Sequence, residues 1–188
     1  MRFPKVTVLF LIAVGLSACR NGERNAERND EPNDTNIGQA VKARMGGPKP
    51  ICLPESEYVR LDEPASTSVG DRTARDVEDL AALGLITVEE DGNVFTLRAT
   101  PKAQPYVKHG QLCLAQYSYG KLKLLADKKV NDSGLNTLVA HITPVIEPAP
   151  TVPAHWLDGI RSIKGIQGMT AEMVQTKEGW KAVSESLY

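Results

Sequence analysis

The chain has 188 residues, which is enough for one domain of ordinary size or for two small ones. Its 22 basic and 23 acidic side chains give a formal net charge of −1, which argues against a nucleic-acid partner because proteins that bind polyanions are normally basic. Aromatic residues make up 5% of the chain, too few to favour a stacking or carbohydrate-binding platform.

The N-terminal residues form the most specific pattern in the sequence. Arg2 and Lys5 are basic, an apolar run of eleven residues follows them, and small residues lead up to Cys19. This order is typical of a secretory signal peptide, and eleven residues are too few to cross a bilayer as a helix. The sequence therefore predicts a signal peptide over residues 1–18.

The end of this segment, Leu16-Ser17-Ala18-Cys19, resembles the lipobox of bacterial lipoproteins. In that family the cysteine thiol is alkylated by diacylglycerol and the new amino terminus is acylated, which supplies the several chains that stable attachment needs. The resemblance implies that Cys19 carries membrane lipid. Because Arg20 stands where aspartate would favour inner-membrane retention, it also implies the outer membrane of the bacterial envelope, on the periplasmic side. An ordinary signal peptide with a nearby cysteine is the alternative.

The segment after Cys19 is strongly polar. Residues 20–36 carry many charges of both signs and a single alanine as their only aliphatic side chain. Such a segment cannot offset its ordering entropy by burying apolar surface. We therefore expect residues 19–36 to form a lipidated cysteine and a disordered tether, with the folded body starting near Ile37.

Two cysteines remain for the folded body. After export, Cys52 and Cys113 would lie in an oxidising compartment, where a pair is more often bridged than free. A bridge would close a loop of about 61 residues, which the chain-entropy model values at roughly 4 kcal/mol. The alternative is a catalytic cysteine, which needs a base beside it. We predict a Cys52–Cys113 disulfide.

Helix signals come first in the folded body. Residues 37–45 favour a short helix, and residues 74–83 favour a second helix. Thr73 and Asp76 resemble a weakened capping box, and Gly84 stands where a left-handed C-cap belongs.

A hairpin signal follows directly, because Asp91-Gly92 lies between two β-prone runs. Together, residues 73–108 resemble the last helix and wing of winged-helix domains, a family whose implied activity is DNA binding. A shared buried cluster is then expected for Val77, Leu80, Leu83, Ile86, Phe95 and Leu97. Acidic side chains expected to be exposed on this module would repel phosphates; they are Asp76, Asp79, Glu89 and Glu90. The module is therefore expected to act as a scaffold or docking surface and not as a DNA reader.

The C-terminal part changes to the two-residue periodicity of strands. Gly120 predicts a turn between two of these strands, and residues 135–146 predict a long one. Residues 169–176 and 180–184 favour a terminal hairpin, with a helix from Thr176 as the alternative.

These patterns predict an α+β fold in which short N-terminal helices and a winged-helix-like helix and hairpin precede an antiparallel sheet of four or five strands. The predicted divisions are a signal peptide at 1–18, a tether at 19–36, a helical and winged-helix-like part at 37–110, and an antiparallel β part at 111–188. The last two could together form one domain.

The sequence offers no recognisable catalytic, metal-binding or phosphate-binding motif. His109, His141 and His155 are isolated, and each favours a structural or surface role over a metal or base role. The leading hypothesis is a non-enzymatic envelope lipoprotein, without a cofactor, whose domain binds an envelope protein or a small ligand near the membrane. A periplasmic hydrolase acting on cell wall or peptide is the alternative, and a carrier for an apolar ligand is a third possibility.

Overall fold

The computed structural model describes residues 31–188, and most of their regular structure is antiparallel sheet. Strands take up 46% of these residues and helices 22%. The prediction of an α+β fold, in which helices and a winged-helix-like module precede a sheet of four or five strands, is therefore wrong. The predicted signal peptide, Cys19 and the tether as far as residue 30 lie outside the described residues.

Nine strands and four α-helices are found in this described part of the chain. The strands are β1 Lys49–Leu53, β2 Pro64–Ser66, β3 Ile86–Asp91, β4 Val94–Ala99, β5 Val107–Lys108, β6 Gln111–Val130, β7 Asn136–Pro148, β8 Met169–Thr176 and β9 Gly179–Leu187. The helices are α1 Asp34–Met45, α2 Asp71–Ala82, α3 Ala154–Leu157 and α4 Arg161–Lys164, with a 3-10 segment at Gln104–Tyr106. The strands form a six-stranded sheet in the order β1-β6-β7-β8-β9, with β5 also on β6, and a three-stranded sheet in the order β2-β4-β3.

The elements predicted as winged-helix-like are present but are arranged differently. α2 is followed by the β3–β4 hairpin, yet β4 also pairs with β2, so the hairpin belongs to a three-stranded sheet. α1 packs against β6 and β9 of the other sheet. A winged-helix arrangement is not formed, because the apolar face of α1 is buried in a different part of the protein from α2.

Buried apolar side chains form two clusters. The first cluster lies around α2 and the three-stranded sheet and includes Leu80, Leu97 and Leu112. The second cluster lies between α1 and the six-stranded sheet and includes Ile37 and Met173. The set predicted around Leu80 is confirmed, since four of its members are buried in the first cluster and Val77 and Leu83 pack against it partly buried.

Strand β6 passes through both clusters without the turn predicted at Gly120. The register of β6 against β7 shifts between Tyr119 and Lys121, so Gly120 is an extra residue within a continuous strand. A Cβ at this position would collide with the carbonyl oxygen of Thr143 on β7. The glycine is needed because the backbones approach closely there.

Helix α1 begins at Asp34, three residues before the predicted start at Ile37. The side chain of Asn33 accepts hydrogen bonds from the first turn, and Asn36 accepts one from the Asn33 backbone in return, which forms a capping box. A segment read as purely polar tether therefore ends in a helix cap.

Asp34 also ties α1 to the six-stranded sheet. Its Oδ1 accepts the hydroxyl of Tyr119 at 2.7 Å and the backbone N–H of Leu122 at 2.8 Å. These hydrogen bonds, the one from Tyr119 first, hold the pKa of the Asp34 carboxyl below its ordinary value.

The terminal hairpin predicted for residues 169–184 is confirmed as β8 and β9, and the alternative helix from Thr176 is wrong. Gly179, at the start of β9, has a φ of 109°, a backbone conformation that favours glycine.

Gly120→Ala is expected to lower the free energy of unfolding by about 1–3 kcal/mol, because the added methyl group forces β6 and β7 apart. Chemical denaturation monitored by circular dichroism measures the change. Lys123→Ala, at an exposed position of the same strand, is the control and should stay within about 0.5 kcal/mol of the wild type. Equal stability of Gly120→Ala and the wild type would contradict this account of the bulge.

The lowered pKa of Asp34 predicts a pH dependence of stability with a defined sign. The ionised carboxylate stabilises the fold at pH values above its ordinary pKa of 3.8, and this stabilisation is lost as the pH falls through the lower pKa of the folded state. Asp34→Asn should therefore show a smaller drop in melting temperature than the wild type between about pH 5 and pH 2. Asp132→Asn, in an exposed loop, should follow the wild type, and identical curves for all three proteins would refute the assignment.

Candidate functional site

Cys52 and Cys113 form a disulfide, as predicted. The two residues face each other across β1 and β6, with their Cα atoms 3.9 Å apart and an S–S distance of 2.00 Å. The bridge joins positions 61 residues apart in sequence. Neither thiol is therefore free to act as a nucleophile, while Cys19 lies outside the described residues and its lipidation stays a prediction.

The three histidines lie on different elements. His109 occupies a turn before β6 with a φ of 50°. His141 on β7 has its ring centre 6.2 Å from that of Tyr188, and His155 on α3 lies 6.4 Å from Trp156. Within residues 31–188 no three His, Cys, Asp or Glu side chains are grouped so that they could hold a metal ion. The fold does not bring the histidines together.

Two of the four acidic side chains predicted to be exposed are buried. Glu89 and Glu90 on β3 are exposed, as predicted, but Asp76 and Asp79 on α2 are 0% and 7% exposed. Burying a carboxylate is costly unless it is paired or hydrogen-bonded, and both aspartates have such partners. The side of α2 that was expected to face solvent is an internal contact.

One charged stripe of α2 makes this contact. Arg72, Arg75, Asp76 and Asp79 are spaced so that they share one face of the helix. The adjacent face, which carries Leu80, packs into the first cluster. The helix is thus buried along its apolar face. On the charged face, Asp76 and Asp79 are buried, whereas the two arginines are exposed.

Asp79 joins α2 to α4. Its Oδ2 accepts the backbone N–H of Arg161 at 2.7 Å, and its Oδ1 accepts the Nε–H of the same residue at 2.8 Å. Glu78 accepts a third hydrogen bond, from Nη2 of Arg161, at 2.8 Å. The bonds to Glu78 and Asp79 raise the pKa of the Arg161 guanidinium and hold it in one orientation.

Arg72 and Asp76 join α2 to the segment after β1. Oδ2 of Asp76 accepts the backbone N–H of Glu55 at 3.1 Å, and the Glu55 carboxylate pairs with the Arg72 guanidinium. The other oxygen of Asp76, Oδ1, is buried and has no hydrogen-bond partner within residues 31–188. Glu55 follows Cys52 by three residues, so the disulfide fixes the chain close to this contact.

A cavity of about 500 Å³ opens between α2 and α4. We call it the arginine cleft, because Arg72, Arg75 and Arg161 line it. Its other lining residues are Ser162, Gly165, Ile166 and Tyr188. Among the described residues, no acidic side chain belongs to this lining. Guanidinium N–H groups match the oxygens of carboxylate and phosphate, so the cleft can donate hydrogen bonds to an anion.

A second cavity, of about 490 Å³, lies between α1 and the β8–β9 hairpin. Its lining includes Trp180 and charges of both signs, among them Arg44, which is paired with Glu185 at 3.3 Å. The arginine cleft concentrates one sign of charge and is therefore the stronger candidate site.

Sequence reasoning did not find the arginine cleft, although one signal was available. The i, i+3, i+4, i+7 spacing of charges on α2 indicates a continuous charged face, on which the sequence predicts exposed side chains for Asp76 and Asp79. The partner residue, Arg161, lies 82 residues after Asp79, and no local pattern connects the two.

Comparison of the chain with protein-family models, with curated proteins and with solved structures finds no match. Within residues 31–188, no helix combines the length and the apolar character needed to cross a membrane.

Asp79→Ala is expected to destabilise the fold by about 2–3 kcal/mol, because it leaves the Arg161 N–H groups without their buried acceptor. Glu78→Ala is the matched control: it removes a neighbouring carboxylate from the same guanidinium, but Glu78 is largely exposed, so the cost should stay below about 1 kcal/mol. Urea denaturation of both variants tests the difference. Equal effects would show that the buried position of Asp79 does not matter.

Proposed function

We propose that this chain is a lipid-anchored lipoprotein of the bacterial envelope, whose folded domain binds a ligand or an envelope protein and is not an enzyme. The observation that carries the proposal is the segment Leu16-Ser17-Ala18-Cys19, placed directly after a basic start and an apolar run. Acylation of Cys19 would attach the protein to the membrane, and Arg20 favours the outer membrane facing the periplasm.

The disulfide supports this location. Disulfides form and persist in oxidising compartments such as the periplasm and are rare in the cytosol. Cys52 and Cys113 are bridged within the folded body. The cysteine assigned to lipid and the two bridged cysteines therefore both favour export of the protein.

The distance between anchor and domain is limited by the chain itself. Fourteen residues separate Cys19 from the start of α1 at Asp34. Even fully extended, they span at most about 50 Å. An anchored domain would thus act close to the membrane surface, within reach of other envelope proteins.

The binding part of the proposal is supported by the arginine cleft. Binding sites are commonly concave and carry a few polar groups that converge on the ligand. The cleft offers such a concavity, with guanidinium groups brought together from two separate helices.

Replacing Cys19 by serine tests the anchor in bacterial cells. The wild type should fractionate with membranes and carry the mass of a diacylglyceryl and acyl modification. Cys19→Ser should lack that mass, and no processed, lipidated form of the variant should be found in the membrane fraction. A Cys52→Ser/Cys113→Ser double variant is the control, since it removes the other cysteines and should keep the lipid. A wild-type protein without lipid by mass spectrometry would refute the proposal.

A further inference from the structure

Three arginine residues line one cavity in this protein. Arg72 and Arg75 come from α2, and Arg161 comes from α4, which lies more than 80 residues later in the chain. Because like charges repel, bringing three cations together costs free energy unless anions accompany them. Two of the three arginines, Arg72 and Arg161, form ion pairs with carboxylates.

Those carboxylates orient the guanidinium groups and leave donors available. The Nε and Nη2 groups of Arg161 donate hydrogen bonds to Asp79 and Glu78, and its Nη1 group has no acceptor among residues 31–188. The Nη2 group of Arg72 forms an ion pair with the Glu55 carboxylate. Groups that are already held in place lose less conformational entropy when a ligand binds, which is the advantage of a preorganised site.

Arg75 differs from its two neighbours. It is exposed, and the described part of the chain provides no carboxylate within ion-pairing distance of it. Its charge is therefore not compensated, and all of its N–H donors are open to an incoming anion. Arg75 lies between Arg72 and Asp79 on the charged stripe of α2.

The remaining lining adds an apolar wall to the cavity. Ile166 and the ring of Tyr188 line the same cavity. A volume of about 500 Å³ lies in the range of small-molecule sites, larger than one inorganic ion requires.

We infer that the arginine cleft binds a small organic anion through a phosphate or carboxylate group, with Arg75 as the main recognition residue. Arg72 and Arg161 donate further hydrogen bonds to the anionic oxygens, and Ile166 and Tyr188 contact the organic part. The inference rests on the proposed function in taking the domain to be a binding domain, but it does not depend on the lipid anchor.

Isothermal titration calorimetry on the full-length protein in a non-ionic detergent tests the inference. The probes are phenyl phosphate, benzoate and glycerol 3-phosphate, each at one fixed ionic strength. Saturable binding of at least one probe is expected. Preference for glycerol 3-phosphate would indicate a lipid headgroup as the source of the anion, and preference for phenyl phosphate or benzoate would indicate a soluble ligand.

Arg75→Gln should weaken that binding about tenfold or more without lowering the melting temperature, because Arg75 has no hydrogen-bond or ion-pair partner in the described part of the chain. Arg98→Gln is the matched control: it removes an exposed arginine from β4, outside the cleft, and should bind as the wild type does. Absence of saturable binding to every probe, or equal affinity of Arg75→Gln and the wild type, would overturn the inference. Cys19→Ser should bind the probes normally, so failure of the anchor and failure of the cleft are separate results.

Discussion

The close approach of β6 and β7 at Gly120 is the constraint on which the rest of the structure depends. A side chain at Gly120 would meet the carbonyl oxygen of Thr143, so glycine allows β6 to continue through its bulge without separating from β7. Before Gly120, β6 carries Leu112 into the first cluster, and after it Leu122 packs against the second. One unbroken strand therefore joins two hydrophobic cores that would otherwise need a linker.

The charged face of α2 illustrates how buried carboxylates can organise cations instead of opposing them. Asp79 is buried, yet both of its oxygens accept hydrogen bonds from Arg161, so its charge is satisfied locally. The same bonds set the direction of the guanidinium. The cost of burying the carboxylate is thereby linked to the geometry of the arginine cleft, and the two features depend on each other.

Local sequence patterns predicted local structure well. The terminal hairpin, the hairpin at Asp91-Gly92, the buried cluster around Leu80 and the bridge from Cys52 to Cys113 all appear as expected. The two hairpins depend on turn residues, and the buried cluster depends on the spacing of apolar residues. The disulfide prediction depends on the number of cysteines and on the oxidising compartment expected after export.

Features that depend on distant partners were missed. The turn expected at Gly120 follows from the usual conformational preference of glycine, but close approach to β7 also requires glycine, and the sequence cannot separate these causes. The sequence predicts that Asp76 and Asp79 are exposed, because charged residues usually are. They are buried because α4 and the segment after β1 pack against this face of α2. Strand β1 pairs with β6 some sixty residues later in the chain, a long-range pairing that no local pattern indicates.

The disulfide connects the proposed location to the candidate site. Cys52 is held to β6 by the bridge, and three residues later Glu55 gives its backbone N–H to Asp76 and its carboxylate to Arg72. The orientation of one cleft arginine therefore depends on a short segment whose beginning is covalently fixed. The disulfide thereby restrains the segment that carries Glu55, and through that segment it restrains one side of the arginine cleft.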